Sequence, residues 1–221
     1  MNRFNLFLLL ALCGGFLSLP VLTQALPIGG LARPMEKGHG GILVDMGYAQ
    51  RDMDQNQITT ELRSRQGSLR GTYALWDFLS LSAIVGLMDY DTGTNVETTL
   101  NGAYGAAIKG LLFRGQTTRL ELTADGRFLY YSAEDNSIDI ASWEYQFALN
   151  VVYRAENVLP YIGLDYNNLD VQRSGASDLE SQDNFGVVLG LDYFVNPNVY
   201  FYGEMHNFNQ DAISLGVGFK F

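Results

Sequence analysis

The chain has 221 residues, with 24 acidic and 14 basic side chains and a formal net charge of −10. That balance argues against nucleic acid as a partner, because binding a phosphate backbone needs positive charge. One cysteine and two histidines leave no disulfide framework and no His/Cys cluster with metal-ligand spacing, so no cofactor and no metal site is expected.

The first 25 residues carry one base, Arg3, then a mostly apolar stretch from Leu6 to Leu19. They finish on Thr23-Gln24-Ala25, a small-x-small pattern for cleavage after Ala25. Residues 1–25 therefore read as a secretory signal peptide rather than a membrane anchor. The alternative is a lipoprotein signal using Cys13 in "LALCGG". Against it, Leu12 stands where a small residue is wanted, and the apolar run continues past the cysteine. Residues 26–40, "LPIGGLARPMEKGHG", do not alternate, and carry two prolines and four glycines. They read as a flexible periplasmic lead-in; the other reading is a segment that folds back into the lumen.

From residue 41 onward, ten segments alternate between apolar and polar positions: 41–52, 60–75, 79–90, 101–113, 117–131, 142–154, 158–170, 183–194, 198–208 and 211–221. Period-2 alternation puts one set of side chains on each face of a strand. The sixth segment is the clearest. Trp143, Tyr145, Phe147, Leu149, Val151 and Tyr153 share one face, with aromatics at both ends and aliphatics between. Two aromatic girdles about a hydrocarbon band look like this. The eighth segment repeats it with Phe185, Val187, Leu189, Leu191 and Tyr193. A tilted membrane strand needs about 9–11 residues, and each segment reaches that length. Short turns, "WDF", "RGQ", "AEN" and "VNP", alternate with longer polar connections such as "DTGTNVETTL" and "QRSGASDLESQD". The fold expected for residues 41–221 is therefore all-β: an antiparallel up-and-down transmembrane β-barrel of about ten strands, eight being the alternative. The short turns would be periplasmic and the longer loops extracellular. An even strand count leaves both termini on the periplasmic side.

The last segment, "ISLGVGFKF", alternates Ile213, Leu215, Val217, Phe219 and Phe221 with Ser214, Gly216, Gly218 and Lys220. This ending resembles the C-terminal signature of bacterial outer-membrane β-barrels. The resemblance implies that Phe219 and Phe221 form the signal read by the barrel assembly machinery during insertion. The chain as a whole resembles the small outer-membrane barrels that include the transmembrane domain of outer-membrane protein A and the ten-stranded adhesins. That implies a Gram-negative outer-membrane location, with lipid bilayer and lipopolysaccharide as surroundings.

Placing every charge tests the barrel reading. On the lumen parity fall Asp45, Glu121, Asp125, Glu144, Asp165, Asp192 and Glu204, with Arg70, Lys109, Arg119, Arg127, Arg154 and Lys220. A near-balanced set in a narrow lumen predicts ion pairing, because an unpaired enclosed charge is costly. His206 joins this network beside Glu204, two residues away on the same face. Most remaining charges, Arg51, Arg63 and Arg65 among them, fall at strand tops and loops, where acids dominate. Such a rim suggests divalent cations bridging to lipopolysaccharide phosphates; the blander reading is a solvated surface.

Two enzyme families bear on the question of catalysis, the first through His206. The lipid A deacylase barrels carry a Ser two residues after the His of a C-terminal motif, but residue 208 here is Phe. The outer-membrane protease barrels share the count of ten strands, yet Asp89 and Asp91 have no loop histidine beside them. The function expected is non-enzymatic, structural or surface-interacting, with a charge-paired and largely closed lumen. A narrow, porin-like pore for small solutes or ions is the alternative, and a lipid-modifying enzyme is third. If Phe221 supplies the terminal anchor, deleting it should lower the folded fraction in the outer membrane, read by heat-dependent gel mobility. Normal assembly of the truncated chain would refute the role given to that residue.

Overall fold

The computed structural model describes residues 31–55, 58–91, 98, 100–135, 138–174, 177–208 and 210–221. Among them, ten strands form a closed antiparallel wall: β1 (Gly40–Gln55), β2 (Ile58–Trp76), β3 (Leu79–Asp91), β4 (Asn101–Arg114), β5 (Leu120–Asp135), β6 (Ile138–Tyr153), β7 (Val158–Arg173), β9 (Phe185–Phe194), β10 (Val199–Asn207) and β11 (Asp211–Lys220). Each stave pairs with the next, and β11 pairs with β1 from Gly41↔Lys220 to Gln50↔Asp211. Closure leaves no edge whose backbone groups would be stranded in hydrocarbon. The ten staves coincide with the ten alternating segments to within a few residues at either end.

Parity sets the faces as the pattern predicts. On β6, Leu149, Phe147 and Tyr145 are exposed, while Val152, Asn150, Gln146 and Glu144 are buried inside. Outward aromatics pair across strands near the loop end: Phe128 with Tyr145, Tyr130 with Trp143, and Tyr166 with Phe185. Near the turn end, Trp76 stacks on Phe78 and Phe219 on Phe221. Trp76 reaches the outer face because the register shifts between Ala74 and Trp76. An extra residue in a strand reverses the parity beyond it.

The wall is uneven in height. β9, β10 and β11 have 10, 9 and 10 residues, whereas β2 has 19. Two of the polar connections are largely paired strand, since β1–β2 stay in register to Gln55↔Ile58 and β5–β6 to Asp135↔Ile138. Once a hairpin is paired, each further pair adds hydrogen bonds without a new loop to close, and the β-branched residues Ile58, Thr59 and Thr60 favour it. Above the short side, a three-residue strand β8 (Leu179–Ser181) bridges the tall neighbours, pairing with β1 at Met53↔Ser181 and Asp54↔Glu180 and with β7 at Asp170↔Glu180 and Val171↔Leu179. The barrel thus changes from ten staves to eight above the short side.

Side chains fill the interior in layers. At the loop end an apolar cluster includes Met53, Leu62, Met88, Tyr90, Tyr131, Val171 and Leu179. Toward the turn end, two smaller clusters gather Val152, Leu159, Tyr161 and Val188, and Leu43, Ala74, Tyr200 and Tyr202. Inward tyrosines occupy space left by inward glycines on the paired strand. A Cβ on Gly216 would lie 2.3 Å from Tyr202 Cε1 and 2.8 Å from the Val44 carbonyl oxygen. Gly218 faces Tyr200, and Gly190 faces Tyr161, in the same way. Gly216→Ala should therefore destabilise the folded barrel by about 1–3 kcal/mol. Gly71→Ala, where a Cβ meets nothing within 4 Å, should be tolerated. Equal denaturant midpoints for the two variants would contradict this packing.

Candidate functional site: the charged layer of the lumen

Between the apolar layers the inward face turns polar, and its charges find one another. Glu144 on β6 is the hub. It accepts from Arg51 Nη2 at 2.9 Å, Arg127 Nη2 at 2.6 Å and Asn167 Nδ2 at 2.8 Å. Arg51 and Asn167 also donate to the Gln210 amide oxygen. All five of these side chains are buried. A two-to-one ratio of guanidinium to carboxylate is eased there because Arg51 also donates to the neutral oxygens of Asn167 and Gln210.

A second group holds His206 on β10. Its Nδ1 lies 3.1 Å from Asp165 Oδ2, and its Nε2 lies 2.8 Å from Glu204 Oε1. The Tyr161 hydroxyl donates to Glu204 Oε2 at 2.5 Å. Both ring nitrogens are therefore engaged, and the imidazole is fully buried. In a third group, Lys109 Nζ pairs with Asp125 Oδ1 at 2.7 Å, while Asn150 donates to the other oxygen. Asp45 accepts from Ser68 Oγ at 2.5 Å, and Arg70 is buried on β2.

The remaining inward acids lie toward the turn end, where chain segments meet them. Residues 31–39, part of the 26–40 segment read from sequence either as a flexible lead-in or as one that folds back into the lumen, lie against the inner wall. The Ala32 N–H donates to Asp192 Oδ2 at 2.6 Å, and its carbonyl accepts from Thr123 Oγ1 at 3.2 Å. Met35 N–H donates to Ser80 Oγ, and Lys37 N–H to Asp77 Oδ1. Leu31 and Met35 complete the apolar cluster with Tyr200 and Tyr202. The segment is held because inward side chains satisfy its backbone and its apolar residues leave water. Residues 1–30, including the cleavage site after Ala25, lie outside the described residues. Nearby, Glu121 draws Arg114 Nε to 2.8 Å, Arg154 Nε to 3.4 Å and Arg33 Nη1 to 3.9 Å.

Arg119 does not enter the network. β5 starts at Leu120, so residue 119 belongs to the preceding turn and stands exposed; strand parity does not govern it. Arg51, read as a rim residue, is central. It shares odd parity with Asp45, and β1 simply continues past it. Tyr161 and Asn167 likewise lie on the inward parity of β7, where their neighbour Asp165 already pointed. Gln210 sits in the last turn, where no periodicity marks it.

Residues 79–221 match the family model described as the outer membrane protein beta-barrel domain. The chain belongs to this family. It is a protein of the bacterial outer membrane, and its lipid-facing girdles meet that bilayer. The turn end is accordingly periplasmic and the loop end extracellular. Among solved structures, it is similar to an outer-membrane channel from Pseudomonas putida F1, with 13% identity, 91% of this chain and 99% of that one covered, and a TM-score of 0.50. It is also similar to the translocator domain of the autotransporter NalP from Neisseria meningitidis, at 10% identity, 85% and 90% coverage and a TM-score of 0.44. A third is the outer-membrane protease OmpT from Escherichia coli, at 13% identity, 88% and 100% coverage and a TM-score of 0.44. At these identities the likeness concerns the fold. No curated protein matches the chain.

The Glu144 hub gives a stability test for this outer-membrane barrel. Glu144→Gln leaves Arg51 and Arg127 enclosed without their carboxylate and should cost about 3–5 kcal/mol. Adding Arg51→Met and Arg127→Met removes the uncompensated charges and should recover much of that loss. In urea-dependent unfolding, a triple variant no more stable than the single one would show that the charges are not coupled.

Proposed function

We propose that this protein is a non-enzymatic, structural or surface-interacting component of the outer membrane, with a lumen that resists free passage. The observation that carries the reading is the stacking of fillers along the axis: an apolar layer, then the paired charges, then the lower clusters with the lead-in against them. Conduction needs a continuous wet path, and a layer of buried apolar side chains across the axis opposes one. Several features disfavour catalysis. His206 has both nitrogens bound to carboxylates and no exposure, which leaves it no free lone pair or proton for a substrate. The other histidine, His39, stands in the lead-in, away from Asp89 and Asp91 at the top of β3.

The proposed route is export through a signal peptide cleaved after Ala25 and insertion by the barrel assembly machinery, with Phe219 and Phe221 as the recognised end. At the surface, the acidic loops would meet lipopolysaccharide, with divalent cations bridging carboxylates to its phosphates. A narrow pore is the second reading. It is favoured by the buried Gln146 amide and Asn150 Oδ1, which lack hydrogen-bond partners among the described residues and would accept water in a conducting path.

Single-channel recording of the purified protein separates the two. The closed reading expects rare or no steady openings for the wild type. It expects raised conductance after deletion of residues 31–37 combined with Arg70→Ala and Arg127→Ala. Steady wild-type conductance, with only ion selectivity changed in the variant, would replace it by the narrow pore.

A further inference from the structure

The cluster around Glu121 is over-supplied with positive charge. Three guanidiniums from three separate elements approach one oxygen of one carboxylate: Arg33 from the lead-in, Arg114 from the end of β4 and Arg154 just beyond β6. A single carboxylate neutralises one of them. Its second oxygen, Oε2, is buried and has no hydrogen-bond partner among the described residues, so Glu121 serves as an internal anchor. The arginine side chains stay 37%, 49% and 31% exposed. Arg33 and Arg114 line a hollow at the periplasmic mouth, and Arg33 and Arg154 line a second one beside it.

The mouth has space beside them. A cavity of about 560 Å³ is lined by Arg33, Arg114 and Lys220, with His39 on its wall. Phe194 and Phe221 supply an apolar side, and Lys220 Nζ lies 4.6 Å from the Phe194 ring centroid. Two acids, Glu36 and Asp77, also line it; Asp77 is occupied with the Lys37 N–H. A second hollow of about 300 Å³ shares Arg33 and Lys220 and adds Arg154 and Glu156. Arg154 is held rigidly, donating to the Gly115 and Thr118 carbonyls of the β4–β5 turn. Guanidinium N–H groups beside a pocket suit a tetrahedral oxyanion, which they can hold by charge-assisted hydrogen bonds.

We propose that the periplasmic mouth is a phosphate-binding site, formed by Arg33, Arg114 and Arg154 around the Glu121 anchor with Lys220 at its margin. This goes beyond the structural reading of the barrel and does not depend on whether the lumen conducts. The phosphate has two sources: a soluble phosphate ester, or the headgroup of an anionic phospholipid. The apolar wall formed by Phe194 and Phe221 suits either a small organic phosphate or a lipid whose headgroup folds in from the adjoining interface.

The test uses the folded, full mature chain in a zwitterionic detergent, titrated with inorganic phosphate and followed calorimetrically. Saturable binding is expected. Arg114→Gln with Arg154→Gln should weaken it about ten-fold or more, because two charge-assisted contacts are lost. That variant leaves Glu121 poorly paired, so a second one adds Glu121→Gln, removing both sides of the cluster. It should fold, by heat-dependent mobility, and still bind weakly. Arg63→Gln with Arg65→Gln, at the opposite end of the barrel, should bind as wild type does. Nanodiscs then separate the sources. If discs containing phosphatidylglycerol suppress phosphate binding relative to phosphatidylcholine discs, the headgroup occupies the site. If binding is equal in both, the ligand is soluble. Absence of saturable binding by the wild type, or equal binding by the folded triple variant, overturns the proposal.

Discussion

A strand in hydrocarbon cannot leave its backbone N–H and C=O groups unpaired, and the rest of this molecule follows from that constraint. It requires β11 to meet β1, which they do over ten paired residues. Closure divides every strand into an outer and an inner row. The outer row is solvated by lipid and must be apolar, so the chain's charges go inward or beyond the membrane. The inner row then carries ions enclosed by the wall, and those ions need partners from neighbouring strands. The Arg51–Glu144–Arg127 chain and the Asp165–His206–Glu204 group answer that need.

The same constraint explains the short side of the barrel. β9 to β11 stop while β1 and β7 continue, leaving facing strand tops without their neighbours. β8 inserts between them and supplies ladder partners at Met53, Asp54, Asp170 and Val171. Below it, the Asn167 N–H donates to the Asn184 carbonyl, and the Leu169 N–H to Ser181 Oγ. A connection that looks in sequence like a polar loop thus behaves as a patch on the wall. Its Leu179 is driven into the upper apolar cluster.

Alternation made the staves legible because period 2 is a property of each strand by itself. Lys109 and Asp125, Arg127 and Glu144, and Glu204 and His206 could be placed on the inner face by parity alone. Their partnerships could not, because pairing depends on the stagger between strands, which no single strand encodes. Arg51 was hidden differently. Its parity was correct for the lumen, but the polar run after it looked like the start of a loop. Gln210 lies in a turn, so its entry into the network depends wholly on the fold. The inward apolar layers were also hard to see. Met53, Leu62, Met88 and Leu129 lie on the same parity as the charges, where they read as interruptions of a polar row. The lead-in, with two prolines and four glycines, has no periodicity at all; its place is set by Asp192, Thr123 and Ser80, which are distant in sequence.

Enclosed ion pairs are a poor source of stability, since desolvation offsets much of their attraction. Their value here lies in the register. Slipping a strand by one residue exchanges its inner and outer rows. For β5 that would turn Arg127 and Asp125 toward lipid and bring Phe128 and Ala124 inside. A cation at the bilayer midplane costs about 2–4 kcal/mol, and the abandoned partners, Glu144 and Lys109, would add their own penalty. A purely apolar interior would fill the space equally well, but it would make the two faces of each strand alike and the slip cheap. The tyrosine–glycine pairs act in the same direction, because Tyr200 and Tyr202 fit only where Gly218 and Gly216 stand opposite. Charges and rings therefore specify which of several near-equivalent barrels this sequence forms, and the pairing of the inner row is best understood as the device that selects one register.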